Sequence, residues 1–168
     1  AASFWLGSIF LRRGGDDAPL RTVEAAAILF TVLLAFMEIR HLVNNGDVYY
    51  QGAGLTEIAL QISVTLAMAI GLERLRLRTG SVIHNAGAIL LTLFAGLASV
   101  FGLLGLENPM LWRVDVGGLV FNLLLLAYAL PAVLALLLSY VVAGQRPVPY
   151  ANTIAAAALI LALAYVTF

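Results

Sequence analysis

Long apolar runs separated by short polar breaks set the pattern of this chain. A bilayer hydrocarbon core of about 30 Å takes about 20 apolar residues in a helix. Lipid offers the backbone no hydrogen-bond partner, so runs of that length must be helical. Five stretches meet or approach the length: 20–43, 55–72, 82–104, 119–143 and 148–168. A sixth, 3–11, has the form of the tail of a further span. The pattern predicts an all-α polytopic transmembrane bundle, about five full spans plus one partial N-terminal span. Residues 1–168 then form a single transmembrane region, read as a fragment of a longer protein.

The breaks carry loop chemistry. Arg12-Arg13-Gly14-Gly15-Asp16-Asp17 is a polar turn before Pro19, which suits a helix start. Asn44-Asn45-Gly46-Asp47 and Gln145-Arg146-Pro147-Val148-Pro149 mark two more. Asn108-Pro109 has the form of an N-cap followed by a first-turn proline. A short interfacial helix over 110–116 is expected to follow, with Trp112 at headgroup depth and Gly117-Gly118 bending the chain into the next span. Pro131 has no N–H for the carbonyl of Ala127 and should kink its helix.

Composition narrows the class. Of 168 residues, 62% are hydrophobic and 11% charged, where soluble domains carry about 25% charged residues. A water-soluble fold of this length has too little interior to hide that surface. The formal net charge is zero, so no global field attracts nucleic acid, which is not expected as a partner. There is no cysteine, which excludes disulfides and thiolate metal sites. The two histidines, His41 and His84, fall at opposite ends of the spans, and no metal or cofactor motif occurs. No reaction type follows from this, and no cofactor is expected.

All nine basic residues are arginine. Arg12, Arg13, Arg21, Arg74, Arg76, Arg78 and Arg146 fall on one side of the predicted spans; Arg40 and Arg113 fall on the other. The positive-inside rule puts the seven-arginine side in the cytoplasm. Headgroup contact accounts for Arg74, Arg76 and Arg78.

Ionisable residues within or beside a span are functional candidates by default. One cluster is Glu38-Ile39-Arg40-His41, where Glu38 and His41 share a helix face while Glu38 and Arg40 point apart. It is either a proton-handling or substrate-binding group or an interfacial anchor with a snorkelling arginine. A second is Glu57 with Gln61 one turn on, and Thr65 beyond. Glu57 either complements its own helix dipole or reaches Arg40 or His41. A third is Arg113 and Asp115, with Asn122 two turns further, then Tyr128. These either line a cavity at the Pro131 kink or make interhelical hydrogen bonds. His84 and Asn85, beside the arginine loop, and Glu24, placed near the positive end of its helix, need no function on this account.

Ala25–Leu29 and Ala156–Ile160 echo one another at an offset of 131 residues, a weak hint of a repeated module. The elements Glu38-Ile39-Arg40-His41, Gly52-Ala53-Gly54-Leu55-Thr56-Glu57 and Val120-Phe121-Asn122 running to Tyr128-x-x-Pro131 resemble a family of large bacterial predicted membrane proteins of unknown function. That resemblance covers most of 20–168. It implies a longer parent chain, a multi-pass inner-membrane location, and as partners the bilayer together with further spans or subunits.

Two functional classes fit these residues. One is a transport or cell-envelope biogenesis component with a periplasm-facing polar site built from Glu38, Arg40, His41, Glu57, Gln61, Arg113, Asp115 and Asn122. The other is a non-catalytic accessory or scaffold subunit. An enzyme acting on lipid-linked glycans would rest on paired carboxylates alone.

Overall fold

The computed structural model describes residues 1–112 and 123–168. Arg113, Asp115, Asn122, most of the predicted interfacial helix and the start of the 119–143 run lie outside the described residues. Among the described residues there is no strand, and five helices are long and apolar enough to cross a membrane.

The chain runs through α1 (Ala2–Leu11), α2 (Ala18–Val43), α3 (Leu55–Thr79), α4 (Val82–Ala98), a single turn α5 (Pro109–Trp112), α6 (Leu130–Val142) and α7 (Val148–Thr167). Local chemistry sets the boundaries. The Asp17 carboxylate accepts from Leu20 N–H at 3.0 Å and caps α2, with Pro19 in the first turn. α3 runs seven residues past the predicted end at Leu72, because Leu, Glu and Arg propagate a helix well. It stops at Gly80, whose φ of 66° is the left-handed conformation that closes helix C-termini. Ser81 then caps α4, so α3 and α4 form a tight hairpin.

α3 is the hub. It packs against α2, α4 and α6, while α1 lies on α2 and α7 on α6. Its buried stripe is Leu55, Ala59, Ile62, Leu66 and Ala69, spaced alternately four and three residues apart. Small residues bring the helices close. A Cβ on Gly87 would sit 3.0 Å from the Ile28 side chain and 3.1 Å from that of Leu72, so a larger residue there would press on both α2 and α3. The outward faces are the bulkier ones: Leu29, Leu33 and Met37 on α2, Leu90, Leu93 and Leu97 on α4, and Leu159, Leu163 and Val166 on α7 are exposed. Large apolar groups outside and alanine within is the arrangement expected when the solvent is lipid.

Two helical stretches are wound wide, with π-type turns: Ser99–Leu106 continues α4, and Leu125–Ala129 leads into α6. The second lies just ahead of Pro131, where a regular helix would lack one hydrogen bond. Tyr128, fully buried in it, donates its hydroxyl to the Leu103 carbonyl at 2.7 Å, joining the two wide stretches across the bundle.

Candidate functional site

The described residues bury three carboxylates, on Glu24, Glu57 and Glu73, each almost fully removed from solvent. An ionised carboxylate in such surroundings needs a cation and a full set of donors. Each one has an arginine.

At one end of the bundle, Glu57 stands in the first turn of α3. Arg40, near the end of α2, donates from Nη1 to its Oε1 at 2.8 Å. Gln61 donates to Oε1 and Asn44 to Oε2, each at 3.2 Å. The remaining donors of Arg40 go to the Val48 carbonyl at 2.7 Å and to the Tyr50 carbonyl. The α2–α3 connection is therefore folded around one guanidinium, and both Glu57 oxygens are taken. Glu38 and His41 lie on exposed parts of α2 and do not join this group. Of the polar residues singled out in sequence, Arg40, Glu57 and Gln61 come together, with Asn44 added.

The seven arginines gather at the opposite end, and two carboxylate hubs lie among them. Glu73 accepts from Arg76 Nε at 2.9 Å and from Arg146 Nε at 2.9 Å, with Arg146 Nη2 on the same oxygen. Arg146 also lies over the Tyr150 ring, 5.5 Å from its centroid. This hub ties the end of α3 to the α6–α7 connection. Arg76 is thus held by protein, whereas Arg74 and Arg78 are exposed.

The second hub is Glu24. Arg12 donates to its Oε1 and the Ser81 hydroxyl to its Oε2. Arg12 also donates to the Thr79 carbonyl at 3.3 Å, so the α1–α2 connection is joined to the α3–α4 turn. His84, buried in the first turn of α4, places Nε2 3.8 Å from Glu24 Oε1, and that nitrogen has no hydrogen-bond partner among the described residues. Its other nitrogen, Nδ1, lies 2.9 Å from the Thr79 hydroxyl. Thr79 gives its one hydroxyl proton to the Leu75 carbonyl at 2.8 Å, which leaves only lone pairs for His84. In the tautomer that matches this bond, Nδ1 donates to Thr79 and the Nε2 facing Glu24 is the position left to gain or lose a proton. The Trp5 ring stacks on the imidazole with centroids 6.2 Å apart. A cavity of about 200 Å³, lined by Arg12, Gly15, Asp16, Leu20, Thr79 and Ser81, opens beside the hub. At its rim Arg21 holds Asp16 with two hydrogen bonds, of 3.0 and 3.1 Å. These keep the Asp16 carboxyl below the ordinary aspartate range.

A family model for predicted membrane proteins, DUF2339, matches residues 1–168. The chain belongs to the DUF2339 family. No curated protein and no solved structure matches it. Membership makes this a membrane protein, in keeping with the five long apolar helices among the described residues.

Glu24 and Glu73 were not among the candidates drawn from sequence. A signal for both was present. Glu73 extends the 55, 59, 62, 66, 69 stripe by its next step of four, and Glu24 follows Leu20 and precedes Ala27 with the same spacing. A carboxylate inside an apolar stripe faces the bundle interior whatever its place relative to the helix dipole.

Proposed function

We propose that this DUF2339 chain is a component of membrane transport or cell-envelope assembly that works by taking up a proton at the buried Glu24–His84 pair. The observation carrying this function is the partnerless Nε2 of His84, aimed at a carboxylate inside the bundle and beside a polar cavity. Protonation there turns a lone pair facing Glu24 into an N–H that can donate to it. The balance between Arg12 and His84 as partners of Glu24 then shifts, and both are attached to segments that join helices. Buried carboxylate–histidine pairs suit proton relays because one ionisation changes the charge of a desolvated group. The positive-inside rule assigns the seven-arginine end, with this cavity, to the cytoplasm of a bacterial inner membrane. The Arg40–Glu57 group, with every oxygen taken, acts as a clamp in this scheme, in place of the periplasm-facing site expected from sequence.

The test is proton movement by the full-length protein in vesicles carrying an internal pH dye. After an external acid step, wild-type vesicles should equilibrate faster than those holding the Glu24→Gln protein, with His84→Gln also slowed. Equal rates for wild type, both variants and protein-free vesicles would overturn the proposal. One observation favours the scaffold alternative: the carboxylate oxygens of Glu57 and Glu73 are all engaged and join helices, although Arg76 Nη2 beside Glu73 is itself buried without a hydrogen-bond partner among the described residues. That alternative predicts the equal rates.

A further inference from the structure

A second cavity lies on the flank of the bundle, on the surface where α1, α2 and α3 meet. Its volume is about 490 Å³, and Trp5, Ile28, Val32, Met68 and Leu75 are among its walls. Arg74 and Arg78 stand at one end of it. They are four residues apart on α3, hence on the same face and about 5–6 Å apart at Cβ. Both are exposed, and neither has an acidic partner among the described residues, unlike Arg76, which Glu73 holds. The long axis follows α3 from Met68 to Arg78. Ten steps at 1.5 Å rise make about 15 Å, half of a 30 Å hydrocarbon core. Of that length, the six steps from Met68 to Arg74, about 9 Å, have an apolar lining, and the two guanidinium groups occupy the rest. Trp5, on α1, forms part of the wall, its indole N–H donating to the Thr31 hydroxyl at 2.9 Å.

Gly71 adds an independent observation. It lines the groove in the middle of α3, and a Cβ built on it meets nothing within 4 Å. A glycine inside a helix is disfavoured relative to alanine, and no packing within the described chain demands this one. Its missing side chain leaves the groove open.

We infer that this groove is a binding site for one anionic phospholipid, its acyl chain lying along Met68–Leu75 and its phosphate held between Arg74 and Arg78. Paired guanidinium groups suit the planar, two-oxygen face of a phosphodiester better than single cations do. The site shares Trp5 with the Glu24 hub, where its ring stacks on His84, but does not depend on the proposed proton uptake.

Trp5 supplies the measurement. In the full-length protein, with Trp112 and every other tryptophan except Trp5 replaced by Phe, emission is recorded in vesicles of brominated phosphatidylglycerol or brominated phosphatidylcholine. Competition between the two lipids gives their relative affinity at the groove. Each arginine near an anionic headgroup is worth about fivefold, so the anionic lipid should be preferred by at least that factor. Arg74→Gln with Arg78→Gln should abolish the preference while leaving quenching by both lipids in place. Gly71→Leu, which fills open space, should weaken quenching by both. Three results would overturn the site: equal quenching by the two lipids in the wild type, a preference that survives the double arginine change, or no quenching by either lipid. The last would mean that protein, not lipid, fills the groove.

Discussion

The two ends of the bundle solve one physical problem differently. At the Arg40 end, Glu57 is surrounded by donors that have no other state to adopt, and the guanidinium that neutralises it also organises the α2–α3 connection. At the seven-arginine end, Glu24 is neutralised by Arg12 yet faces a histidine whose nearer nitrogen is unengaged. The first arrangement holds two helices in register. The second has a spare valence. A buried carboxylate alone therefore says little about function; the completeness of its surroundings separates a fastening from a responsive group.

The largest expected effect comes from opening the clamp. Arg40→Ala leaves Glu57 buried with only two amide donors, and loss of one member of a buried pair costs about 3–5 kcal/mol. Denaturant or thermal unfolding in detergent should show a drop of that size. Replacing both partners, Arg40→Met with Glu57→Leu, should recover most of it, since the charge is then gone. A harmless Arg40→Ala would erase the distinction between the two ends. Glu24→Gln keeps one acceptor oxygen, enough for Arg12 but not also for Ser81, and the same measurement should register a smaller loss of about 1.5–3 kcal/mol, the worth of hydrogen bonds to a charged group.

Two further changes sharpen the comparison as controls. Tyr128→Phe, far from either carboxylate hub, removes the single bond to the Leu103 carbonyl and should cost about 1 kcal/mol in unfolding experiments. Asp16 is the exposed counterpart of Glu24 at the same end. Because Arg21 lowers its carboxyl pKa, its NMR titration midpoint should fall below the ordinary 3.8. The stabilisation is present above 3.8 and disappears as pH falls through the lower folded value. Exposure keeps this contribution small, and Asp16→Asn should leave the unfolding midpoint at neutral pH unmoved.

The spans were legible because bilayer thickness converts directly into run length, and that rule needs no tertiary information. The extra turns of α3 were not, since Glu73 and the arginines end an apolar run without ending a helix. Arg40 and Glu57 flank a single short connection, so their meeting is a local matter that the chain order already suggests. Arg146 stands 73 residues from Glu73, and Ser81 stands 57 from Glu24. Only the packing of α3 against its neighbours makes those pairs. The wide turns at Ser99–Leu106 and Leu125–Ala129 have no compositional signature beyond Pro131 near the second. They depend on how the two helices meet.

The distances along the chain from each buried carboxylate to the nearer of its arginine partners carry a consequence for biosynthesis. Arg12 precedes Glu24 by 12 residues, Arg40 precedes Glu57 by 17, and Arg76 follows Glu73 by three. As the chain leaves the ribosome, two of the three acids emerge after their counter-ion and the third emerges with it. None has to wait for a distant helix before its charge can be balanced, so partitioning into lipid can proceed hairpin by hairpin. The distant partners, Ser81 on Glu24 and Arg146 on Glu73, arrive later and lock together segments already inserted.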